Sequence, residues 1–310
     1  MIVSKLFCGL GNQMFQYAAG LALAQRRNTI LKLDVSWFSE QNAEANHERY
    51  GLDCFLLDAH FATNQELAWC RGHQRNVAES RFWRLLSKFG LQSYAELLPT
   101  GGNWHIQKQF HYYPEFFDLP DRSVIDGTFQ SEKFFAPVAK IIRKHFGFRY
   151  GPTVKVAALA GEIQGCEAVA VHFRRGDLVV SDKYKVSQAA LGMEYYQAAF
   201  GQISEMVSEP RFFVFSDDIE FARNCGVLPD GIVFVECVEG WNSYDALRLM
   251  SLCQHFITAN SSFSWWGAWL SENARKVVIR PDPWFANMPE NDTRDLCPEA
   301  WVSIPRRGLR

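Results

Sequence analysis

The second half of the chain alternates short apolar runs with segments of helical length, and this alternation constrains the fold more than any other feature. The runs are rich in β-branched and aromatic residues, as buried strands are. They predict strands over residues 168–173, 211–215, 231–236, 255–259 and 276–280. The segments between them predict helices over residues 193–207, 219–225, 243–253 and 262–272. We therefore expect an α/β fold with a parallel sheet covered on both faces, and a ligand beyond the carboxyl ends of its strands.

The N-terminal segment predicts a β-turn-α unit. Residues 2–7 are typical of a strand, residues 14–27 of a helix and residues 30–34 of a second strand. Asn12 is the expected N-cap, and the free N–H groups of the helix would face a ligand above the turn. Gly9, Gly11 and Asp34 are similar to a dinucleotide-binding fingerprint, but Met14 stands where its third glycine belongs. This departure favours some other close ligand over NAD.

Length and composition indicate two soluble domains. The chain of 310 residues is long enough for two domains of ordinary size, each with its own core. Residues 146–153 contain two glycines and a proline, which indicates a linker, so we divide the chain into residues 1–148 and residues 149–310. The net charge of −2 argues against a nucleic-acid partner, because such proteins normally carry a basic excess.

Several features predict a cytoplasmic protein. The eight cysteines show no Cys-x-x-Cys spacing, which indicates reduced thiols. The N-terminus does not resemble a signal peptide, and no run of residues is apolar enough to cross a membrane. Residues 71–88 predict a basic amphipathic helix, either packed on the N-terminal domain or placed at a membrane surface or acceptor. At most peripheral membrane contact is expected, through this helix or through Arg306, Arg307 and Arg310, for which a frayed, solvated tail is the alternative.

An unusual set of polar residues follows the strand predicted over 168–173. The strand delivers His172, Arg174 and Arg175, and Asp177 comes directly after Gly176. Guanidinium groups hold phosphate oxygens in a bidentate geometry, so two adjacent arginines at a sheet edge indicate a diphosphate site. The alternative is an exposed arginine–aspartate ion pair that closes a turn at Gly176.

Two other loops at the same predicted edge carry polar residues. Asn260, Ser261 and Ser262 begin a predicted helix, where hydroxyl groups and unpaired amide N–H groups suit an anion. Asp217 and Asp218 follow a neighbouring strand. One of them is expected to cap the next helix, and the other could accept a hydrogen bond from a nucleobase or a ribose.

The sequence offers little for a metal ion. It has no Asp-x-Asp pair, and its eight histidines lack the paired spacing of metal ligands. A phosphate-binding loop ending in Gly-Lys-Ser/Thr is absent as well. We therefore expect paired cations to replace magnesium at a nucleoside diphosphate leaving group, with no metal and no cofactor.

Four blocks occur in order along the chain. They are Gly-Leu-Gly-Asn-Gln-Met-Phe-Gln-Tyr-Ala at 9–18, His-Phe-Arg-Arg-Gly-Asp at 172–177, Phe-Ser-Asp-Asp at 215–218 and Ala-Asn-Ser-Ser-Phe-Ser-Trp-Trp-Gly-Ala-Trp-Leu at 259–270. These blocks resemble signatures of the α-1,2-fucosyltransferases of glycosyltransferase family 11. Residues 127–135 match a further block more loosely. The similarity is weakest around residues 60–110, where acceptor choice could reside.

This resemblance implies two Rossmann-like domains facing across a cleft, the GT-B arrangement. Residues 149–310 would bind the donor, GDP-β-L-fucose, and residues 1–148 would lie on the acceptor side. The implied acceptor is a galactose-terminated oligosaccharide such as lactose or an O-antigen unit. Transfer to the 2-hydroxyl of a β-galactoside with inversion would form an α-1,2 linkage without metal. A transferase for another nucleotide sugar, or a non-catalytic carbohydrate-binding protein of the same fold, is the alternative.

The resemblance also assigns roles to residues of this chain. Arg174 would bind the β-phosphate, and His172 would lie near the guanine. The remaining donor-binding candidates are Gly11, Asn12, Gln13, Arg175, Asp217, Asp218, Asn260, Ser261, Ser262 and Phe263. Asp177, His172 and Glu132 are candidates for the base that takes the proton of the acceptor hydroxyl, although a phosphate oxygen could do so instead.

Overall fold

The computed structural model describes residues 1–40, 49–70, 103–175, 190–236, 241–242, 244–286, 288 and 291–306. Three groups of residues discussed above lie outside this part of the chain: the basic segment 71–88, the residues that follow Arg175, including Asp177, and the arginines at 307 and 310. The described residues form two parallel β-sheets and the helices around them.

The first sheet is built from the N-terminal half of the chain. Its strands are β1 (Ile2–Lys5), β2 (Leu31–Asp34), β3 (Trp104–Ile106) and β4 (Ser123–Asp126). They lie in the order β2-β1-β4-β3, and all neighbouring pairs are parallel. The turn that follows the central strand β1 therefore lies at the carboxyl edge of this sheet.

The second sheet is built from the C-terminal half. Its strands are β5 (Ala168–Phe173), β6 (Arg211–Ser216), β7 (Val233–Val235), β8 (His255–Ile257), β9 (Val278–Asp282) and β10 (Val302–Pro305). They lie in the order β10-β9-β8-β5-β6-β7, again all parallel. The predicted parallel sheet is confirmed, and β5 lies inside it between β8 and β6.

Helices connect and cover both sheets. In chain order they are α1 (Leu10–Arg26), α2 (Trp37–Glu40), α3 (Asn64–Cys70), α4 (Ala139–His145), α5 (Val154–Gln164), α6 (Met193–Met206), α7 (Ile219–Asn224), α8 (Asp245–Leu252) and α9 (Ser262–Leu270). Alternate residues of β5 enter different apolar clusters: Val169 and Val171 pack with residues of α6, whereas Ala168 and Ala170 pack on the other face. The second sheet is therefore covered on both faces, as expected from its apolar strands.

The structure differs from the sequence analysis at three elements, one predicted wrongly and two not predicted. Helix α1 begins at Leu10 and has Gly9 as its N-cap, so the prediction that Asn12 caps the helix is wrong. Asn12 instead lies in the first turn, where its backbone N–H donates to the Gly9 carbonyl (3.0 Å). Helix α5 was not predicted, although Thr153 caps it by accepting from the Val156 N–H. Strand β10 was missed because it has only four residues and ends at Pro305, and both features weaken a strand pattern.

A single apolar cluster joins the two halves of the chain. It contains residues of β1 and α1 together with residues of β6, α8 and α9, so the two halves pack against each other through it, whereas a separate apolar cluster lies on the other face of each sheet. The contact is centred on Phe15 of α1, whose ring lies 4.5 Å from the ring of Trp265 and 4.8 Å from that of Trp266. Phe135 stacks on Trp266 at 5.4 Å. This aromatic packing fixes α1 against α9, and both helices begin at the cleft described below.

Over the described residues, no helix combines the length and the apolar character needed to cross a bilayer.

Candidate active site

A cleft of about 430 Å³ lies between the two sheets. The residues lining it come from segments that follow strands β1, β3 and β4 of the first sheet and β5, β8 and β9 of the second. The cleft is therefore at the carboxyl ends of strands in both halves, where ligands of parallel α/β folds bind. Arg174 carries the one formal charge among the described residues that line it.

Two helices begin at this cleft and touch one another there. A β-carbon added to Gly11 in α1 would come within 2.6 Å of Ser262 Oγ and 2.7 Å of the Ser262 carbonyl carbon, at the start of α9. The Trp266 indole N–H donates to the Gly11 carbonyl oxygen (2.9 Å), which fixes the approach. Each helix N-terminus carries partial positive charge and free N–H groups. Two such ends beside one cleft make it a favourable place for an anion.

Arg174 adds a full positive charge to this place. Its Nη1 lies 3.3 Å from Ser261 Oγ, to which it donates a hydrogen bond. Ser261 is the N-cap of α9, and its Oγ also accepts from the Phe263 N–H. The sequence prediction that residues 260–262 start a helix at this edge is confirmed. Asn260, Ser261, Ser262 and Phe263 all line the cleft together with Arg174.

The two adjacent arginines are separated by the structure. The Arg175 backbone N–H donates to Asp217 Oδ1 (2.8 Å), and its Nε lies 3.5 Å from Asp218 Oδ2. Its guanidinium lies 3.5 Å above the ring of Phe221 in α7. Asp218 also caps α7 by accepting from the Phe221 N–H. The structure therefore does not place Arg175, Asp217 or Asp218 among the cleft-lining residues. Arg175 pairs with Asp218, whereas the alternative ion pair, which would close a turn at Gly176, involves residues outside the described part of the chain.

His172 is buried beneath the cleft in β5, with 8% of its surface exposed. Burial, together with the nearby charge of Arg174, lowers the pKa of His172 to about 3. Its ring lies 6.1 Å from that of Phe263. The imidazole is therefore neutral at physiological pH, and such a low pKa makes it a weak base for an alcohol proton.

The N-terminal block lines the cleft with Gly9, Leu10, Gly11 and Asn12, whereas its Gln13 belongs to the scaffold. Asn12 lines the cleft, and its Oδ1 accepts from Gln130 Nε2 (2.6 Å). Gln13 is fully buried, and its amide donates to the carbonyl oxygens of Cys8 (2.8 Å) and Arg49 (2.9 Å). The Gly51 N–H donates to Gln13 Oε1 (2.9 Å). Gln13 therefore ties the β1–α1 turn to the segment around residue 50 and does not line the cleft.

Sequence reasoning missed part of the lining. The residues that it did not assign to the site are Cys8, Gly9, Leu10, Phe110, Thr128, Gln130, Trp284, Phe285, Met288 and Asn291. Thr128 and Gln130 lie in the block at 127–135, which matched the family signature only loosely. Glu132, two residues further on, accepts from the Trp269 indole N–H (3.0 Å) and lies outside the cleft.

Comparison with known proteins identifies the family. The profile of Glycosyl transferase family 11 matches residues 128–304, more than half of the chain. The chain belongs to glycosyltransferase family 11. The family predicted from the sequence blocks is confirmed.

Two curated relatives match this family 11 chain over nearly its whole length. An α-1,2-colitosyltransferase of Escherichia coli is 30% identical over 315 residues, covering 99% of this chain and 99% of the relative. The O-antigen biosynthesis glycosyltransferase WbnK, also of Escherichia coli, is 29% identical over 311 residues, covering 97% of this chain and 99% of the relative.

The fold of the family 11 chain is similar to that of a solved fucosyltransferase. The crystal structure of NodZ α-1,6-fucosyltransferase of Bradyrhizobium, soaked with GDP-fucose, has a TM-score of 0.51 and 14% sequence identity. The match covers 92% of this chain and 95% of that one. This likeness concerns the fold alone, and it confirms the predicted α/β architecture of the GT-B type.

Proposed function

We propose that this family 11 glycosyltransferase transfers L-fucose from GDP-β-L-fucose to the 2-hydroxyl of a β-galactoside. The reaction inverts the anomeric centre, forms an α-1,2 linkage and needs no metal ion. The observation that carries the proposal is the cleft in which Arg174 and the N-termini of α1 and α9 come together. These groups supply positive charge and N–H donors where the diphosphate of a sugar nucleotide would lie.

The chemistry follows from the charge that grows on the leaving group. As the anomeric bond opens, negative charge builds up on the β-phosphate of GDP, and donors fixed in advance stabilise it. Arg174 binds the β-phosphate through its guanidinium, and the α9 N-terminus with Ser261 and Ser262 binds the neighbouring phosphate or ribose. These charges perform in this chain the task that a divalent cation performs elsewhere. The C-terminal half holds the donor, and the N-terminal half faces the acceptor.

A second donor is favoured by one specific relative. The Escherichia coli protein that matches over 99% of this chain is named an α-1,2-colitosyltransferase. Colitose is fucose without its 3-hydroxyl, so a cleft that admits one sugar can admit the other. The O-antigen relative also supports an oligosaccharide acceptor for this chain, an O-antigen unit or a simple galactoside such as lactose. In this proposal the enzyme works in the cytoplasm, where sugar nucleotides are available.

The experiment incubates the purified full chain with GDP-fucose and lactose in EDTA and detects fucosyllactose by mass spectrometry. Parallel reactions contain GDP-colitose, GDP-mannose or UDP-galactose as the donor. Linkage is read from the NMR spectrum of the product. Transfer from GDP-fucose to the galactose 2-hydroxyl in EDTA supports the proposal. Transfer from GDP-colitose but not from GDP-fucose would mean that GDP-colitose is the donor. Dependence on added magnesium or manganese contradicts the metal-free mechanism. Binding of sugar without any product would indicate the non-catalytic alternative.

A further inference from the structure

The described residues that line the cleft include two chemically different sets. One set is Arg174 together with the residues at the two helix N-termini. The other is Phe110, Thr128 and Gln130 from the N-terminal half and Phe285, Met288 and Asn291 from the C-terminal half. Every side chain of this second set is uncharged: aromatic, thioether, hydroxyl or amide. The second set is therefore unsuited to a second phosphate and well suited to a neutral, partly apolar ligand.

Two aromatic rings form the apolar part of this uncharged set. The rings of Phe110 and Phe285 lie 5.4 Å apart with an interplanar angle of 82°, so they meet edge to face across the cleft. Both side chains are half-buried. In an edge-to-face pair each ring keeps at least one face that the pair itself does not cover. A ring face bordered by hydroxyl and amide groups matches a pyranose, which has an apolar C–H face and a rim of hydroxyls.

The backbone that carries each ring is fixed by hydrogen bonds. Gln107 Oε1 accepts from the N–H groups of Thr128 (2.8 Å) and Phe129 (3.0 Å). Its Nε2 donates to the Gln109 carbonyl oxygen (3.0 Å), so Gln107 joins the segment before Phe110 to the segment after β4. Because little backbone freedom remains to be lost on binding, the Phe110 ring is held ready for a ligand.

The opposite ring is held in a similar way. Arg306 is buried, and its Nη1 donates to the carbonyl oxygen of Trp284 (2.8 Å), the residue before Phe285. Trp284 is itself buried, with 3% of its surface exposed. The buried Arg306 guanidinium fixes the carbonyl next to the half-buried Phe285 ring and so gives Phe285 a defined position at the cleft.

We propose that Phe110 and Phe285 form a platform on which the terminal neutral pyranose of the acceptor stacks, while Gln130 and Asn291 bind its hydroxyls. This inference rests on the proposed function, since it places the acceptor beside the donor phosphates bound at Arg174. The platform selects an uncharged sugar, and it is formed only when the two halves of the chain lie together. Both halves of the chain therefore contribute residues to acceptor recognition.

The test compares Phe110→Leu and Phe285→Leu with the conservative variant Phe110→Tyr and with a control, Phe117→Leu. Phe117 is also half-buried and contacts Phe116 (5.2 Å between rings), but it lies outside the cleft. Three quantities are measured for each protein: the KM for lactose, the KM for GDP-fucose, and the rate of GDP release from GDP-fucose without acceptor. Lactose binding in the presence of GDP is measured separately by saturation-transfer NMR, which does not require turnover.

The platform predicts that the KM for lactose rises about 10- to 100-fold in both leucine variants, as expected for loss of a central aromatic contact. The KM for GDP-fucose and the rate of GDP release stay near wild type in these two variants. Phe110→Tyr, which keeps an aromatic ring, raises the KM for lactose much less than Phe110→Leu does. The control Phe117→Leu leaves all three quantities near wild type. Equal rises in both KM values would mean that the rings only support the fold, and unchanged lactose KM values would overturn the platform. If GDP-fucose is not used at all, the proposed function fails, and the NMR experiment still decides the platform. Loss of lactose binding in the leucine variants supports the platform. Lactose binding that these variants retain overturns the platform. It is also overturned if the wild type binds neither lactose nor other neutral β-galactosides.

Discussion

Gly11 of α1 and Ser262 of α9 lie in contact where the two halves of the chain meet, closer than any side chain on residue 11 would permit. A β-carbon at position 11 would come within 2.6 Å of Ser262 Oγ, 2.7 Å of Ser262 C and 2.8 Å of Phe263 N. Two of these three atoms belong to the backbone, which cannot rotate away as a side chain can. The glycine thus permits both helix N-termini to reach the same cleft.

We expect Gly11→Ala to separate these helix ends and to lower the stability of the fold by about 1–3 kcal/mol, the usual cost of overpacking. Affinity for GDP falls as well, because the anion site is split. Unfolding in urea and GDP binding by calorimetry measure the two effects. Gly201→Ala is the matched control, since this exposed glycine of α6 has open space around a new β-carbon. The control is expected to gain stability from the higher helix propensity of alanine. Equal effects of the two substitutions would contradict the importance of the Gly11 contact.

The two adjacent arginines are expected to contribute unequally to turnover. Arg174→Ala removes the guanidinium from the cleft, and loss of such a preorganised donor lowers kcat by about 100- to 1000-fold. Arg174→Lys is expected to fail too, because an ammonium group cannot reproduce the planar fork. Arg175→Ala changes kcat much less, since this side chain is held by Asp218 and Phe221. Steady-state kinetics of the three variants, with circular dichroism to check folding, test this asymmetry. Similar losses of kcat in Arg174→Ala and Arg175→Ala would instead indicate that both arginines bind the diphosphate.

The proton of the acceptor hydroxyl is not expected to go to Glu132. Its carboxylate accepts from the Trp269 indole N–H, and Glu132→Gln keeps an oxygen for that hydrogen bond. The variant therefore retains kcat and its pH dependence. Asp177→Asn examines the other carboxylate of the family block in the same assay. Loss of the acidic limb of the kcat–pH profile in Asp177→Asn would identify Asp177 as the base. An unchanged acidic limb would favour a phosphate oxygen as the proton acceptor. A large loss of kcat in Glu132→Gln would show that Glu132 reaches the substrate.

Stability is expected to fall as the pH drops below about 6.5, the ordinary pKa of histidine, because His172 has a pKa of about 3 in the fold. Between these two values the unfolded chain binds a proton at this residue and the folded chain does not. The contribution of His172 is therefore fully favourable above pH 6.5 and is lost on acidification, by at most about 1.4 kcal/mol per pH unit.

Urea unfolding of wild type and His172→Asn at pH 7, 6 and 5 measures this contribution. The variant is expected to show a shallower pH dependence. His60→Asn is the control, because 59% of the His60 side chain is exposed. A pH dependence of His172→Asn as steep as that of the wild type would show that other groups account for the loss of stability.

The sequence predicted those parts of the molecule that depend on local pattern. Apolar runs indicated β5 and its neighbours, and the serines at 261 and 262 indicated the start of α9, because hydroxyl N-caps leave a clear signal. The start of α1 was missed for the opposite reason. Gly9 is the N-cap of that helix and makes no side-chain hydrogen bond, since glycine has no side chain that could mark the position as a cap.

Relationships between distant segments could not be predicted in the same way. Consecutive residues at a strand end point to opposite sides, so Arg174 and Arg175 diverge even though the sequence presents them as a pair. Where each one goes depends on α9 and on α7, which only the folded topology places. The Phe110–Phe285 contact likewise joins segments from opposite halves of the chain. No periodicity reveals such a pair.

The most direct test of the account is the crystal structure of the full chain with GDP, grown in EDTA. The account predicts density for the diphosphate between the Arg174 guanidinium and the N-terminus of α9, with a phosphate oxygen within hydrogen-bond distance of Arg174 and of Ser261 or Ser262. GDP bound at any other place would contradict it, as would GDP that appears at this place only after a divalent cation is added.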